Sequence, residues 1–444
     1  MTLSKSQEIP LRHALAGALI LLGLIFQILR LTGLPVAFSL VSYTFWLAVG
    51  LLWCDLDQRN RRQAGSLAGV GFSLLLAAWL GYGADIAWAS IFDGNTYVVA
   101  MLVGVSFISL LGSRQGRSAS PGIAVTGRRG VTLTWLGVHL LGGILNLSSV
   151  FIVGDRLRRH GELNLPQLLA MNRGLSSAAL WSPFFASMGV IVTLAPEMSF
   201  STILAFGLPL TLLAGTLSLL DLSHRFDLST VAGYSLSVRN LLLPMTMASL
   251  VMIFHFGLTP NLSIVSIITI LLPVLALISN VFCGVRWTLR RIRSHALERL
   301  PSMRGEISLF LCAGLLTQGL SAFISATTSE GWQLFNHFGA PQAMISFLII
   351  VASAIVGLHP IIGVSALASV LELEGSRQTL FAFVALGSWA VGTSVGPLSG
   401  INISLQGRYG ISGSVMMRNN LGYTGGMCTL LLAAIWLIDN LLEV

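Results

Sequence analysis

Lysine is all but missing from this chain: Lys5 is the single one in 444 residues, and the rest of the 25 basic side chains are Arg. Charge of either sign is scarce, at 9% of residues, where ordinary soluble domains carry about 25%. Hydrophobic residues reach 54%. That balance excludes a soluble globular domain and defines a polytopic membrane protein. The four cysteines, Cys54, Cys283, Cys312 and Cys428, lie far apart in or beside apolar runs, which excludes a disulfide framework and a metal-spacing pattern and leaves buried thiols. Carboxylates read as confined to loops and ends, as at Asp85, Asp93, Glu197, Glu330, Glu372 and Glu374. This argues against a carboxylate-driven cation exchanger. No Gly-Lys-Ser/Thr follows the Gly-rich piece 122–130, so no phosphate-cradling loop is expected and nucleotide hydrolysis is excluded. No nucleic-acid partner is expected either, because the basic residues lie at membrane boundaries where orientation explains them.

What is present is a series of apolar windows cut by Arg, Asp, Gly and Pro. They place spans near 14–33, 34–54, 64–82, 96–113, 131–153, 200–220, 241–258, 264–284, 307–326, 344–371 and 422–441, each about the length a bilayer needs. Two further regions are apolar but interrupted. The segment 166–196 holds Pro166, Gly174, Pro183 and Pro196 around Ser176, Ser177 and Ser182, and the segment 380–405 holds Gly387, Gly392, Thr393, Ser394, Gly396, Pro397, Ser399 and Gly400. Interrupted helices are tolerated at membrane depth only where they line a cavity or are buried in protein.

Two stretches repeat each other at an offset of 220. Gly137-Val-His139-Leu-Leu-Gly-Gly143-Ile-Leu-Asn-Leu147-Ser-Ser149-Val150 matches Gly357-Leu-His359-Pro-Ile-Ile-Gly363-Val-Ser-Ala-Leu367-Ala-Ser369-Val370 at six of fourteen positions. A titratable group in hydrocarbon is costly and is held there by function or by a partner. His139 and His359 are therefore expected to couple protons, since His titrates near neutrality, or to position the interrupted segments. His255 reads as a structural hydrogen-bonding residue. The organisation expected is an amino-terminal scaffold (1–130), a first repeat (131–220, with 166–196), linking scaffold helices (221–343) and a second repeat (344–444, with 380–405).

The arginines fall in groups: Arg59, Arg61 and Arg62; Arg114, Arg117, Arg128 and Arg129; and Arg286, Arg290, Arg291, Arg293, Arg299 and Arg304. Groups of this kind set topology and put the amino terminus and these loops in the cytoplasm. The basic run Asp155-Arg156-Leu-Arg158-Arg159-His160 does not obey that count, so either 131–153 breaks and returns or a span is misplaced. On the count, the repeats run in opposite senses through the membrane, as expected of alternating-access carriers.

Inverted repeats, each a helix leading into a Ser/Thr/Gly/Pro-rich interrupted segment, resemble the ion transporter superfamily, which includes the divalent anion/sodium symporters and the large membrane subunits of tripartite periplasmic (TRAP) transporters. Gly396-Pro397-Leu-Ser-Gly400-Ile-Asn402, continued by Gly410-Ile-Ser412 and Arg418, is similar to the Pro-x-x-Gly-x-Asn turn after the second hairpin of the TRAP large subunits. The symporters carry Ser-Asn-Thr at each hairpin tip. This chain has Ser176-Ser177 and Thr393-Ser394 there, with Asn172 and Asn402 nearby, so sodium coupling does not carry over directly. The resemblance allows a homodimer and, if TRAP-like, small membrane or periplasmic partner subunits.

The sequence as a whole predicts an all-α polytopic membrane protein of about 11–13 helical segments, with two inverted repeats and two re-entrant or broken segments, in a bacterial-type inner membrane. The expected activity is secondary transport of a small organic anion, with no cofactor and with Na+ or H+ as coupling ion. Ser176, Ser177, Ser182, Thr393, Ser394, Ser399 and Asn402 are expected to surround the substrate, because free helix N-termini and hydroxyls suit an anion. A membrane enzyme of lipid-linked glycans is the rival, with Arg156–His160 and the pair Asn336-His337 as its polar groups, but no outer loop is long enough for the domain it needs. A non-catalytic assembly subunit is the third reading.

Overall fold

A computed structural model gives the fold of residues 10–110, 125–159, 161–236, 238–259, 262–282, 284–327, 335, 337–371 and 373–442. Lys5, Arg114, Arg117, His160, Cys283, Glu330, Asn336 and Glu372 lie outside the described residues, as does the side chain of Arg59.

The chain is helical throughout. In order the helices are Leu11–Leu31 (α1), Phe38–Leu52 (α2), Gln58–Leu76 (α3), Thr96–Ser106 (α4), Gly127–Leu145 (α5), Ser148–Arg158 (α6), Leu165–Ser177 (α7), Ala186–Leu194 (α8), Phe200–Arg225 (α9), Val238–Ile253 (α10), Ile264–Val281 (α11), Val285–Ser294 (α12), the single turn Leu300–Ser302 (α13), Arg304–Thr327 (α14), Ala340–Val356 (α15), Pro360–Ser369 (α16), Ser376–Val395 (α17), Gly400–Tyr409 (α18) and Gly413–Leu442 (α19). A two-residue strand pair, Val125–Thr126 with Ala232–Gly233, is the one sheet element among the described residues. Among the described residues eight helical stretches are long and apolar enough to cross a membrane, and this is a multi-pass helical membrane protein.

Two compact units divide the chain, one of residues 1–116 and 266–328, the other of 117–265 and 329–444. In the first unit α3 and α14 cross where glycine meets backbone: a Cβ on Gly71 would stand 2.7 Å from the Leu315 carbonyl oxygen. Small residues of this kind let membrane helices approach closely. One end of this unit gathers its basic loops. Arg12 and His13 reach Asp55 at 2.6 and 2.9 Å, and Arg304 donates to the Asp55 carbonyl at 2.9 Å.

The second unit runs twice through the same order of five helices: α5, α6, α7, α8, α9, then α15, α16, α17, α18, α19. In each run a helical hairpin precedes a broken helix, and a long helix follows. The sequence-derived spans 131–153 and 344–371 are therefore corrected, since the first breaks at Asn146–Leu147 and the second at 357–359.

Both pairs fold back on themselves. An unbroken helix would separate residues 137 and 156 by about 28 Å. Instead both touch Tyr234: a Cβ on Gly137 would lie 2.7 Å from its ring, and the Arg156 guanidinium sits 5.5 Å over it. This reversal accounts for the basic run that defied the topology count, because α6 returns toward the end where α5 began. In the second hairpin a Cβ on Gly363 would lie 2.8 Å from the Ile350 side chain, though the two residues are thirteen apart in sequence. The turns differ in chemistry. Asn146 holds φ +50°, and Gly357 holds φ +110°, values that L side chains rarely adopt.

The hairpins also correct the offset of 220. His139 lies within α5, six residues before its end, whereas His359 is the N-cap of α16. Five identities among Gly, Leu, Ser and Val, together with the His pair, matched a helix interior to a helix break.

Both broken helices are buried along their lengths, with every residue of Pro166–Ser177 and Gln378–Val395 inside the unit. A helix that is apolar all round needs such a position, or lipid on every side. Gly392 of α17 lies against Pro360 and Ala354, at 2.6 and 3.0 Å from an added Cβ. Gly392→Val is expected to lower stability by about 1–3 kcal/mol through overpacking. Gly425→Ala, where nothing lies within 4 Å, should instead stabilise α19 by about 0.4–1 kcal/mol. Thermal unfolding of both variants in mild detergent checks the opposite signs.

Candidate functional site: two broken helices joined by asparagines

The first break is built from Trp181, Ser182, Pro183, Phe184 and Phe185, between a short 3-10 turn (Ala178–Leu180) and α8. Pro183 removes a backbone donor, so the helix cannot continue through it. The second break, 396–399, follows the same logic with Pro397, and Ser399 then caps α18 by accepting from the Asn402 N–H at 3.3 Å.

Each hairpin tip seats at the break that follows it. Asn146 donates to the Phe184 carbonyl at 3.0 Å, and the Ser182 hydroxyl donates to the Gly143 carbonyl. In the second half, the tip residue Gly357 faces Leu398, at 2.7 Å from an added Cβ.

The two broken helices run past each other in opposite senses. At one end of the pair the Glu197 and Ser199 N–H groups, just after α8, donate to Gln378 Oε1 and Thr379 Oγ1 at the start of α17, at 2.8 and 2.9 Å. At the other, Asn172 of α7 donates to Asn402 Oδ1 of α18 at 2.8 Å. Going forward from 172 to 197 on one helix is going backward from 402 to 378 on the other.

Asparagine side chains close this junction. Asn402 Nδ2 donates to the Ser394 and Gly396 carbonyls at 3.2 and 2.9 Å, and Asn420 Nδ2 donates to the same Ser394 carbonyl at 2.9 Å and to Asn172 Oδ1 at 3.3 Å. Beside them lies Arg173, fully buried. Its Nε donates to Asn420 Oδ1 at 2.8 Å, its Nη2 donates to Asp221 Oδ2 at 2.7 Å and to the Asn419 carbonyl at 3.1 Å, and its guanidinium lies 4.6 Å over the Tyr423 ring. Its Nη1 has no partner among the described residues. Asp221 is shared with Arg225 at 3.3 Å, so the cluster holds two cations and one anion.

The residues singled out from sequence divide between the breaks. Ser176, Ser177, Ser182, Thr393, Ser394, Ser399 and Asn402 are all buried. Four hydroxyls turn back on their own helices: Ser176 to the Arg173 carbonyl, Ser177 to Gly174, Thr393 to Trp389 and Ser394 to Val391. Ser177 and Ser182 join His139 and the first hairpin tip, whereas Ser394, Ser399 and Asn402 form the second break. Asn172–Asn402 links the two groups.

The histidines have different surroundings. His139 Nε2 accepts from the Trp181 indole at 3.1 Å, and its Nδ1 lies 3.1 Å from the Gly174 carbonyl and 3.0 Å from Ser177 Oγ. An indole N–H can only donate and a carbonyl only accept, so this arrangement requires the neutral ring with its proton on Nδ1. His139 also stacks on Trp135 at 4.9 Å. His359 is part-buried and makes one such bond: its Nδ1 accepts from the Ile361 N–H at 3.2 Å, capping α16, while its ring meets Trp389 edge-on at 5.1 Å.

Arg173, Asp221 and Asn420 were missed in the sequence; Asp221 stands near the end of α9, one residue past the span read as 200–220. The available signal was a lone Arg between Asn172 and Gly174 inside an apolar segment, with no other charge near it.

No known protein family matches the chain, and no curated protein matches its sequence. Among solved structures it is similar to the Alcanivorax borkumensis YdaH transporter, whose crystal structure is described as revealing an unusual topology. The two are 15% identical over 83% of this chain and 88% of that one, with a TM-score of 0.42. A likeness of this size equates no residue with a residue, and none of these comparisons places the chain in the ion transporter superfamily.

Removing Asp221 would leave Arg173 buried without its carboxylate, and breaking such a pair costs about 3–5 kcal/mol. Asp221→Ala should therefore unfold at much lower temperature than wild type. Arg225→Ala, where the side chain is one-third exposed, should cost no more than about 1 kcal/mol.

A second clamp joins α6 to α18. Arg408 Nε donates to Asp155 Oδ1 at 2.8 Å, and its Nη2 donates to Oδ2. These hydrogen bonds hold the Asp155 carboxyl below its ordinary value. Because the folded value is the lower one, the stabilisation is present at neutral pH and is lost as pH falls below about 4 and through the folded value. The difference in melting temperature between wild type and Asp155→Asn should close over that range.

Proposed function

We propose that this protein is a secondary carrier of a small organic anion, working by alternating access, with the paired broken helices of the second unit at its transport site. One observation carries the proposal: two helices of the same hairpin–break–helix order pass each other in opposite senses, and the first of them is joined to the break of the second through Asn172 and Asn402. Opposite senses for corresponding helices support an inverted repeat. Broken helices near the midplane, built from such repeats, are how many carriers hold cargo.

An anionic cargo is supported by charge and by free donors. Among the described residues the junction has one more cation than anion, and a buried Arg173 N–H group has no partner. The α8 amino terminus at the first break has no side-chain cap, so its first N–H groups are available to an anion. An inner-membrane location with a cytoplasmic amino terminus accords with the basic end of the first unit.

His359 is the better placed of the two histidines for proton coupling. Protonation would turn its Nδ1 from acceptor to donor and remove the α16 cap, whereas His139 is committed on both nitrogens.

Uptake of labelled succinate, citrate and benzoate into proteoliposomes tests the function. Protein-dependent uptake of at least one, driven by an imposed sodium or pH gradient, is expected. Monodisperse protein that takes up none of them above empty vesicles would refute the proposal as stated.

His359→Ala should impair uptake more than His255→Ala at equal expression. His359→Asn separates the two roles of the ring, because Asn is a good N-cap that does not titrate. Coupling through His359 predicts active transport with a flattened pH profile between about 5 and 8. A wild-type profile would leave His359 as a cap alone.

A further inference from the structure

At the basic end of the first unit, α12 runs between two spans, α11 and α14. Its sequence sets Val285 and Leu289 four apart, with Arg286, Arg290 and Arg293 spaced by four and three on another side. The apolar side has no cover: Phe282 is 87% exposed, Val285 62% and Leu289 60%. A helix with an open apolar stripe and a row of Arg suits the plane of a membrane surface.

Beside it is a cleft of 320 Å³ lined in part by Ser109, Trp287, Arg290, Arg291, Glu298 and Arg299. Its walls are fixed. Arg291 donates to Asn280 Oδ1 at 2.6 Å, and Asn280 donates in turn to the Leu110 carbonyl at 3.2 Å. His295, also on the wall, is hydrogen-bonded with Ser106 Oγ at 2.9 Å and lies 4.6 Å from the Phe107 ring. Burial first, then the nearby Arg299 and Arg291, push His295 down to about 4, so it adds no charge at neutral pH. Three guanidinium groups then face one carboxylate. Arg290 has no hydrogen-bond or ion-pair partner among the described residues, and its planar fork suits two phosphate oxygens.

We propose that this cleft binds the phosphate of an anionic glycerophospholipid, with the acyl chains lying along Phe282, Val285 and Leu289. The apolar stripe decides for a lipid over a soluble phosphate ester, because a soluble ligand has no use for exposed Phe and Leu next to its charged site. The inference is independent of the transport reading, since the cleft and the helix lie wholly within the first unit.

The test uses the full chain in nanodiscs of phosphatidylcholine containing phosphatidylglycerol, with lipid retention after detergent extraction read by native mass spectrometry. Wild type should retain phosphatidylglycerol over phosphatidylcholine. Arg290→Ala with Arg299→Ala should weaken retention by about thirtyfold, because each substitution removes a charge-assisted hydrogen bond to the phosphate in the cleft. Arg286→Ala with Arg293→Ala removes the same charge from the same segment outside the cleft and should weaken it by no more than about fivefold.

Equal losses in the two double variants would reduce the effect to bulk charge and overturn the site. So would wild type without preference for phosphatidylglycerol, a result that depends on no variant. Displacement of the bound lipid by millimolar inorganic phosphate would reassign the cleft to a soluble phosphate.

Discussion

The second unit depends on one constraint: a helix broken inside a membrane protein exposes backbone groups that no solvent can satisfy. An unpaired buried donor or acceptor costs about 1–3 kcal/mol. At the second break two asparagines meet this cost. The Ser394 carbonyl takes a bond from Asn402 and another from Asn420, and the Gly396 carbonyl takes a third. Asn402 is positioned by Asn172 of the other broken helix, and Asn420 by Arg173. The second break is thus satisfied only when α7, α18 and α19 are all in place, which ties the formation of one half to that of the other.

The halves handle the constraint unequally. The first tip is fastened by Asn146 to Phe184 and by Ser182 to Gly143, and His139 braces the helix behind it through Trp181, Gly174 and Ser177. At the second tip Gly357 packs against Leu398, its N–H donates back to the Ser353 and Ala354 carbonyls, and His359 caps α16.

Much of this was legible in the sequence, and the exceptions have physical causes. Composition identified the membrane class, and the interrupted regions 166–196 and 380–405 contain both breaks, because Pro and a capping hydroxyl act locally. The tips expected at Ser176-Ser177 and Thr393-Ser394 are instead helical, and the breaks follow them. The hairpin tips were hidden. Asn146-Leu147 sits in an unbroken apolar run, and its left-handed Asn has no signature that a polar residue in a span lacks. The histidine repeat misled for the opposite reason: its matches were residues common in any membrane helix. Arg173 was overlooked because Arg in this chain so often marks a loop, while its partners Asp221 and Asn420 lie 48 and 247 residues away. Long-range pairing of polar groups leaves no local pattern to read.

In the carrier proposed above, a coupling cation bound at this junction would bear directly on movement. A hard cation prefers oxygen ligands, and the carbonyls at the second break are the natural candidates. Those carbonyls already accept from amide N–H groups of Asn402 and Asn420, and a cation cannot share that position with donors pointing at it. To bind there it must turn the Asn402 amide away. That amide also holds Asn172, so the turn removes one of the hydrogen bonds that tie the two broken helices together, the others being at the Gln378 and Thr379 end. Binding the ion and loosening the helices are then one event, and a cation needs no separate relay to reach the moving parts.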